Sequence, residues 1–342
     1  MGWHRLFASL AMLVCVLSLV QLPANAWDRS HVSTFATLPP GSAHPEGITT
    51  DAKGNFYVVT WDYDHPDHLG HLIIFTPDGK FQHRVEIAGS SSRLGDVSFQ
   101  PATGDLLVVD YGGKQVLKVD PTTGASSVFV SIPGEKAAPN GMAFDRKGNI
   151  YLTDSLQGTV WKTGPTGGTP TAWVKTDLLI SHGVNTPLGA NGLTFNHTES
   201  ALFVGNTGDN TIIRVPVVNG EAGQPEIWVT SSISGPDGMF FDEEDRLWVV
   251  ANRGDEVVVL DKTGKTVAKL GDFEGLDEQG APRGLLFPAE MTKIGDYLYV
   301  GNLTVDVRYF KGRAQEGISQ WAAQVKVYNI VKIPARIPPF PK

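Results

Sequence analysis

The chain of 342 residues has one cysteine, Cys15. An intrachain disulfide is therefore excluded, and stability must come from a large core of the chain's own. There is no basic run and no Lys/Arg stripe. The 28 Lys and Arg against 36 Asp and Glu give a formal charge of −8. Both facts argue against nucleic acid and anionic membrane as partners. No stretch keeps a 3.6-residue apolar period, so helices are minor. No G-x-S-x-G nucleophile elbow occurs, which counts against a covalent serine hydrolase. Low-complexity tracts and interdomain linkers are also lacking.

The one extended apolar run lies at the start. Arg5 is followed by apolar Leu6 to Leu22 and then by the small-residue site Ala24-Asn25-Ala26. This reads as a cleaved secretory signal over 1–26, and the run is short against the ~20 residues of a spanning helix. The expectation is a secreted or periplasmic protein, free of the membrane after cleavage, with one domain over 27–342. Removing Arg5 leaves 27 basic side chains, and 27 − 36 = −9.

What is present is a repeated phrase. "HPEGITTD" begins at His44, "APNGMAFD" at Ala138, "GANGLTFN" at Gly189 and "GPDGMFFD" at Gly235. Each is followed by a polar turn and a strand ending in Asp or Asn: Asp62, Asp154, Asn206 and Asn252. Degenerate copies end at Asp110 and Asn302. Repeat starts fall near 46, 95, 140, 191, 237 and 289, about 45 to 52 residues apart. That is the spacing of a four-stranded propeller blade. The fold expected is all-β, a six-bladed β-propeller.

A propeller must close its ring. "FATLPPGSAHPEG" (Phe35 to Gly47) aligns without a gap on "FVSIPGEKAAPNG" (Phe129 to Gly141), an outer strand leading into the next blade. The N-terminal segment 32–38 is therefore expected as the outer strand of the last blade, beside Gln324 to Ile333. Pairing both ends in one sheet removes the open edge.

The variable letter of the phrase is Glu46, Asn140, Asn191 or Asp237. Each begins the innermost strand of its blade, so the four are expected to converge at one channel mouth. Two carboxylates and two amide carbonyls form an oxygen-only set suited to Ca²⁺, with Mg²⁺ or Mn²⁺ as alternatives. Zn²⁺ is more usually held by His or Cys. Asn-Gly and Asp-Gly are also common turn dipeptides, which accounts for three of the four singly but not for Glu46. Asp96, in the degenerate second repeat, falls outside this set. The strand-end residues Asp62, Asp110, Asp154, Asn206, Asn252 and Asn302 read as scaffold that bonds the following turns.

The motifs "PEG" at Pro45, "PNG" at Pro139, "ANG" at Ala190 and "PDG" at Pro236 resemble those of the senescence-marker-protein (regucalcin), gluconolactonase and luciferin-regenerating-enzyme family of six-bladed propellers. The resemblance covers nearly all of the chain after residue 26. It implies Glu46, Asn191 and Asp237 as ligands of a divalent metal. It places Asn140 near that metal, as a ligand through water or a substrate contact, and makes Asp237 the proposed base. Sugar-lactonase members carry Arg two residues before the position of Asn140. Here Ala138 stands there, which counts against an aldonolactone substrate.

Four insertions map to one face: Trp61 to His71, Thr176 to Gly189, Asp272 to Pro288 and Leu303 to Ala323. Loops concentrated on one face of a repeat fold mark a binding face. His65, His68 and His71 lack clean ligand spacing and read as a solvated loop. His44 and His182 fall near the mouth as candidates for substrate contact or proton transfer. Arg253, Arg283 and Arg308 are candidate carboxylate anchors.

The reading that emerges is an exported metal-dependent hydrolase of a small-molecule lactone or simple ester. A non-catalytic, metal-containing, small-molecule-binding propeller is the alternative. A lyase of the strictosidine-synthase type is a third, set back by the oxygen ligand set. Fold does not choose among them.

Overall fold

The computed structural model describes residues 29–183, 186–309 and 317–337. The expected signal segment lies outside them. Six four-stranded antiparallel blades surround a central axis. Their inner strands are Pro45–Thr50, Leu94–Phe99, Pro139–Phe144, Ala190–Phe195, Pro236–Phe241 and Pro288–Ile294. Among the described residues helix is confined to short turns, the longest being Gly317–Ala322, and no helix is long and apolar enough to cross a membrane.

Local chemistry explains the closing letter of the phrase. Asp51 Oδ1 accepts from the amides of Lys53 and Asn55, and Asp145 Oδ1 accepts from those of Lys147 and Asn149. Asp242 Oδ1 does the same for Glu244 and Arg246. Each carboxylate ties the hairpin between the first two strands of its blade.

The core is a ring of inter-blade clusters. Tyr57, Leu72 and Val108 join blades one and two. Trp248, Val257 and Leu298 join blades five and six. The seam between blades six and one contains Ala36 and Leu38 together with Phe56, Tyr299 and Ile330. Strand Ser33–Thr37 pairs antiparallel with Asn329–Pro334, so the N-terminal strand completes the sixth blade as expected. The Phe35 ring lies 4.6 Å from both Phe56 and Tyr299.

All six inner strands share an irregularity. The register shifts between the first and fourth residues: Pro45/Ile48, Leu94/Val97, Pro139/Met142, Ala190/Leu193, Pro236/Met239 and Pro288/Met291. The second and third residues thus leave the ladder at a bulge, a device that re-aims side chains. Those two positions are where the phrase keeps its polar letter and its glycine. The glycine is required by crowding: a Cβ on Gly47 would lie 2.6 Å from the Gly95 carbonyl oxygen, and one on Gly192 would lie 2.2 Å from that of Asp237.

Ring closure is testable. A chain beginning at His44 loses the buried side chains of Val32, Ala36 and Leu38 and exposes the edge of Asn329–Pro334. The expected cost is on the order of 4 kcal/mol, seen as a Tm lower by roughly 5–10 °C than that of a chain beginning at Trp27. Equal Tm values by calorimetry would overturn the paired-ends closure.

Candidate metal centre

Glu46, Asn140, Asn191 and Asp237 line a single cavity that opens to solvent. They come from blades one, three, four and five, and each is buried. The amides are held in one orientation. Asn140 Nδ2 donates to Ser155 Oγ at 3.1 Å, and Asn191 Nδ2 donates to Thr207 Oγ1 at 3.0 Å. Those hydroxyls donate their own protons to backbone carbonyls of the next blade, Ser155 to Ala190 and Thr207 to Pro236, each at 2.7 Å. A hydroxyl with its proton committed can only accept, so the amide nitrogen must face it. The two carbonyl oxygens Oδ1 are thereby left for the cavity.

Two further acids reach the same axis. Register places Gly95 and Ala289 at the polar-letter position of blades two and six, and Asp96 and Glu290 at the glycine position. The degenerate repeats thus carry their acid one residue later. A Cβ on Gly238 would lie 2.1 Å from Glu290 Oε1, so the acid occupies space that glycine leaves. Asp96, expected to stand apart from the set, is one of its electrostatic neighbours. In the sequence "LGD" and "PAE" align under "PEG" with the acid displaced by one, and only the strand register shows that the displaced acid still reaches the axis.

Burial dominates the electrostatics. Desolvation raises Glu46 well above the ordinary range, helped by the charges of Asp237, Glu290 and Asp96. Glu290 is raised well above it too, first by burial and then by Asp96. Asp237 is pushed up to about 7 by burial, against the bond it accepts from Asn252. Asp96 is likewise pushed up to about 7 by burial, against bonds from the Met142 and Val97 amides. None of the four has an ion pair among the described residues. Buried carboxylates without a cation carry a large desolvation cost. The donor set is all oxygen and rich in carboxylate, so it fits a hard divalent cation.

The strand-end residues divide. Asn302 accepts from the Leu286 amide, ahead of its blade's inner strand, while Asp110, Asp154 and Asn206 accept from amides of the following turn, as scaffold should. Asp62 does so as well, through Asp64 and His65. Asn252 differs. Its blade pairs Pro236 with Ala251, so Asn252 stands one residue beyond the ladder, where blades three and four have Ser155 and Thr207. It faces the site, and its Nδ2 donates to Asp237 Oδ2 at 3.1 Å.

The expected histidines lie outside the cavity lining. His44 is buried, with Nδ1 2.8 Å from the Leu303 carbonyl and Nε2 3.1 Å from the Tyr328 hydroxyl. The carbonyl can only accept, so Nδ1 carries the proton and Nε2 accepts from Tyr328. Burial lowers its pKa. His182 is exposed, and its hydrogen bond to Asp209 raises its pKa. Of the arginines only Arg253 lines the cavity. Arg283 bonds the Glu274 carbonyl, and Arg308 pairs with Asp306. In the first insertion, Asp62, His65 and His68 place ligand-type atoms within 4.8 Å of one another on the surface, while His71 is buried in a strand.

The mouth is apolar on one side. Trp61, Phe287, Leu303, Val305 and Val307 form a cluster over the site, drawn from three of the insertions. Leu188 joins them in the lining from the fourth.

Comparison with known proteins agrees with this architecture. A curated gluconolactonase from Zymomonas mobilis subsp. mobilis is 26% identical in an alignment of 259 residues that covers 61% of this chain. The chain spans 65% of that protein's length. A gluconolactonase structure from Xanthomonas campestris superposes with a TM-score of 0.61 at 15% identity, covering 89% of both chains. The calcium-binding protein regucalcin from Agrobacterium tumefaciens superposes with a TM-score of 0.60 at 15% identity, covering 90% of this chain and 98% of the other. At such identities the structural likeness speaks for the fold. Residues 97–271, just over half of the chain, match the SMP-30/Gluconolactonase/LRE-like region, and the chain belongs to that family.

Proposed function

We propose that this protein is an exported, divalent-metal-dependent hydrolase of lactones or simple esters. The observation that carries the reading is the convergence of Glu46, Asn140, Asn191 and Asp237 on one cavity, with both amide oxygens turned toward it. Glu46, Asn191 and Asp237 would hold the cation and Asn140 would complete or border the set. Ca²⁺ is the first choice for such donors. When bound, the cation supplies Lewis acidity toward the acyl carbonyl oxygen.

The chain's own residues supply the rest. Asn252 fixes Asp237 Oδ2, so Asp237 Oδ1 is free to accept a proton from the attacking water. The water oxygen bonds to the acyl carbon, the ring or ester C–O bond breaks, and the leaving alkoxide takes up a proton. The products are a carboxylic acid and an alcohol, joined in one hydroxy acid when the substrate is a lactone. The apolar cluster of the mouth excludes bulk water, which strengthens each polar contact beneath it.

A non-catalytic binding propeller is the second reading, favoured by Ala138 at a position where an anchoring arginine would assist a polar substrate. Turnover of any lactone or aryl ester by the purified, metal-loaded protein decides between the two.

Asp237→Asn keeps the size and one oxygen but removes the charge and the proton acceptor. Calorimetry should show weakened cation binding, while kcat at saturating metal falls at least ~100-fold. Full activity at full occupancy would remove Asp237 from the mechanism.

Thr207→Val keeps the shape but deletes the hydroxyl that orients Asn191. Cation affinity should fall about tenfold although Thr207 is not itself a ligand. Unchanged affinity would show that the Asn191 orientation does not matter.

The raised carboxylates also predict a pH dependence. A carboxyl whose folded pKa lies above its unfolded value contributes stability that is complete below the unfolded pKa and lost as pH rises through the folded one. For Asp96 and Asp237 the window runs from their ordinary value near 3.8 up to about 7. The metal-free protein should therefore lose Tm between pH 4 and 8, and the gain in Tm on adding Ca²⁺ should grow over the same range. A Ca²⁺-induced shift that is flat with pH would count against binding by these carboxylates.

A further inference from the structure

The cavity above the oxygen donors is two-sided, and the sides come from different blades. Thr207, Asn252 and Arg253 line it from blades four and five. Trp61, Phe287, Leu303 and Val307 line it from blades one and six and their insertions. The apolar side is built rather than incidental. Phe287 holds φ at +44°, a left-handed conformation costly for a bulky residue. It is kept there by three bonds. Its amide donates to Asp255 Oδ1 at 2.8 Å, its carbonyl accepts from Thr304 at 3.2 Å, and the preceding amide of Leu286 donates to Asn302 Oδ1 at 3.0 Å. The Trp61 ring is braced against Tyr111 at 4.5 Å.

Beyond Thr207, Asn252 and Arg253, the residues that lead into the inner strands add little for a hydroxylated substrate. The residues preceding the six inner strands are His44, Arg93, Ala138, Gly189, Gly235 and Phe287, and of these Phe287 lines the cavity. Both ring nitrogens of His44 are bonded within the protein, and the Arg93 guanidinium lies over the Tyr111 ring. Ala138, Gly189, Gly235 and Phe287 offer no side-chain hydrogen bond. A polyhydroxylated ring placed against this wall would leave hydroxyls desolvated and unpaired.

We infer that the substrate is a small lactone or ester with a hydrophobic arm, its carbonyl at the oxygen donors and its alkyl or aryl substituent against Trp61, Phe287, Leu303 and Val307. This rests on the hydrolase reading for the chemistry but not for the binding.

The test uses the metal-loaded wild-type protein and two panels. The first compares glucono-δ-lactone with δ-lactones bearing hydrogen, methyl, propyl or pentyl at the ring carbon. Here kcat/KM should rise about 3–4-fold per methylene until the arm fills the pocket, and glucono-δ-lactone should be the poorest substrate. The second measures binding of 2-alkylcyclohexanones, which cannot be hydrolysed, by calorimetry and Trp fluorescence, and Kd should tighten with chain length in parallel. Val307→Asp should raise the KM for the pentyl lactone at least tenfold and that for the unsubstituted ring by much less. Chain-length-dependent ketone binding without turnover of any lactone would sink the hydrolase reading and leave standing only the binding half of this inference, a hydrophobic arm against the apolar wall. Preferred turnover of glucono-δ-lactone with a flat alkyl series would do the reverse, and a flat ketone series would overturn the inference by itself.

Discussion

Space at the propeller axis is the constraint on which the rest depends. Six inner strands approach one line, and their backbones come so close that a methyl group on Gly47 or Gly192 would strike the next blade's carbonyl. Side chains can therefore enter only in some blades at some positions. Four blades place theirs on the first bulged residue and leave the second as glycine. The other two reverse the order, with Gly95 or Ala289 followed by Asp96 or Glu290. The ring is filled without collision because the letters are staggered.

That packing buries the carboxylates of Glu46 and Asp237 and half-buries those of Asp96 and Glu290. Their pKa values rise chiefly because burial penalises the charged form, and mutual repulsion adds to it. A site arranged in this way is poised for a cation, since the ion repays a cost already incurred in folding. The neutral donors are prepared as well. Ser155 and Thr207 commit their protons to the next blade and so point the Asn140 and Asn191 amides one way. Inter-blade bonds thus orient the site as they join the ring.

The mouth follows a different logic. Its residues come from insertions within blades one and six and from the connection between blades five and six, and their packing over the donors produces an apolar roof on one side. His44 belongs to this superstructure, strapping the 303 loop to the first blade through Leu303 and Tyr328. Its burial between Tyr63 and Tyr328 suits it to hold that strap as a neutral ring.

Much of this was determined locally and could be read from the chain. Strand alternation, turn carboxylates such as Asp51 and Asp145, and the recurrence of the phrase specify six blades. The likeness of Phe35–Gly47 to Phe129–Gly141 specifies how the ring closes. The polar letters Glu46, Asn140, Asn191 and Asp237 stand in one register, so their meeting was legible too. Asp96, Glu290 and Asn252 were not. A one-residue offset at a bulge decides whether a side chain faces the axis, and the offset is visible only in the pairing with the neighbouring strand. Nor could the sequence show that His44 would have both nitrogens taken, because its partners lie some 260 and 280 residues away. Repetition encodes the blades, whereas ring closure, which brings residues of all six blades to one axis, decides which side chains share a cavity and which of them are left free to act.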